Sequence, residues 1–270
     1  MRLVKDVENI PLDDRVLAMQ LMNRLKSGNR VFGTPAEGLT QTLKKLEEQQ
    51  ANMAANKGKL DYLDQDGDIR ADIAKVKAGI TGEQQLAEYL ERVVKYDDIL
   101  ENMITFASVS DPEQNSGGGE YISDSDFVCL YGGHLMILDA KNIRTSPEIP
   151  IYLDGNTLVS VGGKEIMELH PSVHVWKRIM DKANVQLESI HGCVVIVNQQ
   201  GAVVWKNKTW KQSEVKPLHI SDLVDFLHKW VEGVEPVVKL SAVTALGKMQ
   251  IRKDRNLEMD VASIRMRFGI

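Results

Sequence analysis

The sequence predicts an α/β (α+β) protein in which a mixed sheet is flanked by helices, with an N-terminal helical extension. Three observations carry this. Residues 1–78 have helical period, whereas residues 79–232 read as helix, three or more strands, helix, two strands and helix. Within that second zone, Asp126 to Asn142 holds two apolar runs joined at Gly132-Gly133, the pattern of a hairpin between buried strands.

In the first zone, Leu12 to Leu25 places apolar residues at three- and four-residue spacing behind Pro11, which suits a helix start. Pro35 and Gly38 interrupt. A second helix runs from about Leu39 with Leu39, Leu43 and Leu46 on one stripe and a polar remainder. Gly58 and the stretch Asp64 to Asp68 predict breaks before a third helical piece ending near Ala78. The narrow stripe predicts a helical hairpin or a coiled-coil arm, and with it a homo-oligomer through the N-terminal helices; a solvated helix against the main domain is the plain alternative.

In the second zone Thr81 is an expected N-cap for a helix carrying Glu83. Asp98 to Ser108 reads as a strand. Asp111 to Glu120, with three glycines, reads as a loop. Ile149 to Val161 carries Asp154-Gly-Asn between apolar runs, a second hairpin. Pro171 opens a helix expected to reach Leu187, and His191 to Asn198 is a buried strand. Ala202 to Trp205 is a shorter strand, and Ser221 is expected to cap a helix through Trp230. Residues 233–270 show no clear period and carry Lys239, Lys248, Arg252, Lys253, Arg255, Arg265 and Arg267 against four acids. That excess either meets a phosphate backbone or forms a solvated face.

A length of 270 residues is ample for a substantial core. The net charge of −5 argues against coating nucleic acid by bulk charge while leaving room for a local basic face. Cys129 and Cys193 each stand inside an apolar run and read as buried strand residues, so a reducing, cytoplasmic setting is expected. No stretch approaches a membrane span, and the first residues lack the apolar segment of a secretory leader.

The chemistry concentrates in the first hairpin. Antiparallel pairing sets the start of one strand beside the end of the next, so Asp126, Asp139 and Lys141 should gather at one end of the sheet. Residues 139 and 141 share a face. Two carboxylates match what Mg²⁺ or Mn²⁺ asks of a protein, and a lysine one pleat away can hold water or a phosphate oxygen. Glu83, on the helix before the sheet, is the candidate for a further acid. An ion pair at a strand end is the structural alternative.

Asp64 to Asp68 is no calcium loop: with Gly67 at the sixth position, Tyr62 and Ile73 fall where acids belong. His170 and His174 have no glutamate after the first histidine, so a zinc site is not expected. Trp205 to Lys211 interleaves aromatics and lysines, as single-strand binders do, but equally suits an exposed turn.

Gly79-Ile-Thr-Gly82-Glu83, Asp126 leading an apolar strand, and Asp139-Ala-Lys141-Asn142 together resemble the nuclease-related domain (NERD) family of the PD-(D/E)xK restriction-endonuclease-like superfamily. His170-Pro171-Ser-Val-His174 resembles that family's Asn-Pro-x-x-Gln element, with histidines at the two amide positions. The resemblance covers about residues 79–232. It implies a restriction-endonuclease-like αβββαβ core and metal-dependent hydrolysis of DNA, with Asp126, Asp139 and Glu83 as metal ligands and Lys141 as the catalytic lysine. Asp139 stands where Glu is usual, and Asp124 is the alternative first acid. A nuclease fold without catalysis, serving as a nucleic-acid or protein binding and assembly module, is the second reading.

Overall fold

The computed structural model describes residues 2–55, 62–109, 125–143, 151–154, 157–159, 165–168, 173–197, 203–205 and 215–251. It is a mixed α/β protein. Strand β1 (Arg2–Val4) is followed by α1 (Arg15–Lys26), β2 (Val31–Phe32), α2 (Glu37–Ala55), α3 (Tyr62–Tyr96), β3 (Ile104–Val109), β4 (Ser125–Tyr131) and β5 (His134–Lys141). Next come β6 (Ile151–Asp154), β7 (Thr157–Val159), β8 (Glu165–Glu168), α4 (Val173–Lys182), β9 (Ser189–Ile196) and β10 (Val203–Trp205). The described chain ends with β11 (Val215–His219), α5 (Leu223–Val231), β12 (Val237–Lys239) and α6 (Leu240–Ile251).

The central sheet has six strands in the order β11-β9-β5-β4-β3-β2. The neighbours β3, β4 and β5 are antiparallel; β9 runs parallel to β5, β11 to β9 and β2 to β3. Helices cover both faces, as strands apolar on both sides require. On one face Val128, Leu130, Leu135 and Ile137 pack with Leu17 and Leu21 of α1, Trp176 and Ile179 of α4, and Val243 and Leu246 of α6. On the other, Phe127, Cys129, Met136 and Leu138 pack with Leu86 and Leu90 of α3 and Leu223 and Leu227 of α5. A second sheet, β10-β6-β7-β8, is built from the segments between β5 and β11, and its β6–β7 pair is the expected second hairpin.

Several expectations are corrected. Asp64 to Asp68 does not break a helix and Thr81 does not start one, because α3 runs unbroken from Tyr62 to Tyr96. The glycines Gly79 and Gly82 are places of close approach. A Cβ on Gly79 would meet Leu39 Cδ1 of α2 at 2.8 Å, and one on Gly82 would meet Asn142 Cβ at 3.1 Å and Val197 Cγ2 at 3.2 Å. Thr81 Oγ1 donates back to Lys77 O (2.9 Å), a bond of a helix interior. α2 and the first half of α3 form the helical hairpin of the two N-terminal readings. Lys77 Nζ meets Glu47 Oε1 at 3.1 Å, and the stripe expected to drive oligomerisation is half-buried, with Leu39 against α3.

The strand expected from Asp98 begins only at Ile104. Asp97 Oδ1 accepts from the N–H groups of Ile99 (3.0 Å) and Leu100 (2.9 Å), turning the chain first. α4 ends at Lys182, not near Leu187. Asn184 takes a left-handed φ of 55° and Val185 N–H returns to Met180 O (2.9 Å), a helix stop that asparagine favours. The position before α5 is Asp222, without a side-chain cap bond, and Ser221 lies in the 3-10 turn preceding it. Part of the stretch read as an aperiodic basic tail is core: β12 pairs with β1, Val243 and Leu246 are fully buried, and Lys248 is paired with Asp14 (2.8 Å). Arg252 to Ile270 lies outside the described residues. Cys129 and Cys193 are free and buried as expected, and burial pushes the Cys129 thiol up to about 12. Among the described residues no helix is long and apolar enough to cross a membrane.

Candidate active site

The site begins with strand register. Tyr131 pairs with His134 across the two-glycine turn, and the ladder continues to Phe127 opposite Leu138. One residue further, Asp126 stands beside Asp139. Period two puts Asp126, Asp139 and Lys141 on the face that carries Val128, Leu130, Leu135 and Ile137, at the end of an otherwise apolar ribbon. Asp126 Oδ2 accepts from the Ala140 N–H (2.7 Å), so the first carboxylate is tied to the backbone between the other two side chains. Lys141 Nζ donates to Asp139 Oδ1 at 2.6 Å. β9 flanks β5 here, with Val194 opposite Asp139 and Ile196 opposite Lys141.

Glu83 arrives from the helical layer. Gly82 lets α3 close on Asn142 and Val197, and Asn142 Nδ2 donates to Ala78 O (3.0 Å), pinning the helix to the end of β5. Glu83 is 6% exposed and its Oε2 accepts from the Ala36 N–H at 2.8 Å. Ala36 sits in the left-handed region at φ 57°, as does Ser108 at φ 51° on β3. Non-glycine residues held there cost on the order of 1 kcal/mol or more each and persist only where neighbours fix them. The neighbours are on hand. Ser108 Oγ donates to Thr34 O (2.8 Å) and accepts from the Glu37 N–H (3.4 Å). Gln250 Nε2 of α6 donates to Phe32 O (2.9 Å) and Ala107 O (2.8 Å). On the β4 side, Trp176 Nε1 of α4 donates to Ser125 Oγ (2.7 Å), fixing the residue before Asp126.

The electrostatics follow from three carboxyls around one ammonium. Burial, then the charges of Asp139 and Glu83, hold the Asp126 carboxyl well above the usual carboxylate range. Burial also raises Glu83, opposed by the Ala36 N–H bond and reinforced by Asp139. Burial alone would lower Lys141, but the carboxylates of Asp139, Asp126 and Glu83 outweigh it and the ammonium is raised. Carboxyls that oppose one another's ionisation in this way are what a divalent cation can relieve. Among the described residues no three His, Cys, Asp or Glu side chains stand as a ready-made cage. The donor set nonetheless fits Mg²⁺ or Mn²⁺, which take one or two carboxylates and keep their waters.

All four residues expected from sequence, Glu83, Asp126, Asp139 and Lys141, thus meet at one end of the sheet. Asp124 and His170 lie outside the described residues; His174 is in the first turn of α4, with its side chain outside them, and Trp205 ends β10 with residues 206–211 also outside. The sequence reading missed Ala36 and Ser108, which no spacing pattern marks because their contribution is a backbone N–H and a strand-end hydroxyl. Compared with protein-family models, with curated proteins and with solved structures, the chain matches none.

Proposed function

We propose that this protein is a metal-dependent nuclease that hydrolyses DNA phosphodiester bonds through Asp126, Asp139 and Lys141, with Glu83 as the further acid. The observation that carries this is the pairing register that brings Asp126 beside Asp139 with Lys141 on the same face. The order of elements supports it. α3, β3, β4, β5, α4 and β9 follow the αβββαβ succession of a restriction-endonuclease-like core, with three antiparallel strands and a fourth parallel to the third. The small sheet containing β6–β8 is then an insertion between β5 and α4.

In this reading Asp126 and Asp139 would hold Mg²⁺ or Mn²⁺, with Glu83 as the further acid of the site. When bound, such an ion supplies neutralising charge and a more acidic water. Lys141, whose ammonium is raised by the neighbouring carboxylates, would act as a positive charge toward a water or a phosphate oxygen. Asp139 orients that ammonium through their 2.6 Å bond. The Ala36 N–H and Ala140 N–H aim Glu83 and Asp126 without adding charge.

The test is plasmid cleavage with Mg²⁺ by the wild type, Asp139→Ala and Lys141→Ala. Cleavage by the wild type and loss in both variants is expected; equal cleavage by all three sinks the assignment. The closed Lys141–Asp139 pair favours one rival, a binding module that keeps the pair for packing. Titration with Mn²⁺ separates the two: heat lost in Asp126→Ala and Asp139→Ala belongs to the nuclease, and no heat in the wild type belongs to the module.

A further inference from the structure

A cavity of about 280 Å³ opens on the same face of the central sheet as the acids, between α1, α6 and the end of β3. Leu17, Leu21, Arg24, Thr34, Glu37 and Ser108 line it. Leu17 and Leu21 belong to the core cluster of Val128, Leu130, Leu135 and Ile137, the face from which Asp126, Asp139 and Lys141 project. Thr34 and Ser108 are the two ends of the hydrogen bond that braces the loop donating to Glu83. The cavity therefore lies beside the loop that donates to Glu83.

Arg24 is the unusual residue in it. Its Cζ lies 4.6 Å over the Phe32 ring, which is itself stacked on Phe106 at 5.3 Å. The ring attracts the guanidinium through a cation–π contact and takes none of its N–H donors. Arg24 is half-buried, and among the described residues its guanidinium makes no ion pair and no hydrogen bond. Arg30, six residues on, bonds instead to Leu25 O, Asn29 O and Glu101 O. A planar cation on the cavity wall, with side-chain donors unused among the described residues, matches a tetrahedral oxyanion. Among the described residues Glu37 is the one carboxylate on the cavity wall, and its charge opposes such an anion; Gln41 Nε2 donates to it at 3.5 Å.

We propose that this cavity is a phosphate subsite, in which Arg24 holds a backbone phosphate of the DNA strand flanking the one at the acid site. The inference rests on the nuclease reading and extends it to how substrate is gripped. It assigns the N-terminal segment, outside the part of the chain that resembles a nuclease domain, a share in binding.

The test uses the full chain, a short labelled DNA duplex and Ca²⁺ in place of Mg²⁺, with affinity read by anisotropy across a salt series. Arg24→Met keeps the apolar stem over Phe32 and removes the donors; Glu37→Gln removes the opposing charge. Arg24→Met should weaken binding and flatten the plot of log Kd against log salt by about 0.9, one phosphate contact's worth. Glu37→Gln should tighten binding. An unchanged slope and affinity in Arg24→Met, with an unchanged melting temperature, overturns the subsite. Plasmid cleavage with Mg²⁺ keeps the two proposals apart. Arg24-dependent binding without cleavage by the wild type leaves the subsite and removes the hydrolytic reading. Cleavage with the same KM in wild type and Arg24→Met does the reverse.

Discussion

Replacing Asp126 by asparagine should stabilise the metal-free protein while removing its response to metal. Side chains on opposed strand positions have Cβ atoms about 5 Å apart, and unit charges at that distance repel by roughly 3 kcal/mol in an effective dielectric of about 20. Asp139 is 38% exposed, so solvent cuts that figure to about 1–2 kcal/mol. In Asp126→Asn the neutral amide would escape repulsion from both Asp139 and Glu83, forgo attraction to Lys141, and no longer bury a charge. Its oxygen still accepts from Ala140 N–H, about 1 kcal/mol more weakly. The balance is a gain of about 1–2 kcal/mol, or a rise in melting temperature of roughly 3–6 °C. The pH dependence has a definite sign. The folded pKa of Asp126 is raised, so the native state holds this proton more tightly than the unfolded chain. Wild-type stability from this group therefore falls as pH rises from the unfolded carboxylate value through the folded one. The advantage of Asp126→Asn is full above that window and fades on acidification. Mg²⁺ at about a hundred times its Kd should add roughly 2.7 kcal/mol to the wild type, and much less to the variant. Thermal melts at pH 5 and pH 8, with and without Mg²⁺, read all of this. A variant that melts below the wild type at pH 8 and gains as much from Mg²⁺ refutes the reasoning.

Two further predictions concern the frame. Gly33→Ala should cost about 2 kcal/mol or more, because Gly33 has φ 87° and a Cβ there would lie 2.6 Å from Ala107 O; urea unfolding would read it, and a loss below about 0.5 kcal/mol would count against the close approach. Asp6→Ala should cost about 1–2 kcal/mol, because buried Asp6 accepts from Ser241 N–H (3.0 Å) and Ser241 Oγ at the start of α6; the same titration checks it, and an unchanged midpoint would show that α6 does not depend on this cap.

The parts of the site legible in the sequence are those where side-chain type and strand period carry the information. Asp126, Asp139 and Lys141 lie in one hairpin, so a two-glycine turn and a period of two suffice to predict their meeting. Glu83 was legible by its place on the helix before the sheet, although the start of that helix was not. Gly79 and Gly82 look like poor helix residues when only propensity is counted, a penalty of about 1 kcal/mol each. The packing of Leu39 and Asn142 into the space they leave is a tertiary fact that sequence spacing cannot carry. The same holds for α6. Its buried apolar residues Leu240, Ala242, Val243, Leu246 and Met249 span half its circumference, and polar Thr244 is buried beside them, which blurs the amphipathic period.

What distinguishes the acid site from an ordinary strand-end ion pair is that it is costly in several independent ways. A packing pair needs one carboxylate and one ammonium, and Asp139 with Lys141 already supplies them. Asp126 and Glu83 add two further acids whose carboxyls are raised by burial and by the charge of Asp139, where apolar residues of similar size would leave the core more stable. Glu83 is then held by a backbone N–H from a left-handed alanine, and that loop by a left-handed serine. Helix, hairpin and N-terminal loop thus each give up stability toward the same few ångströms. Repulsion and strain converge on one point, with each member hydrogen-bonded into place, and such convergence is commonest at functional sites.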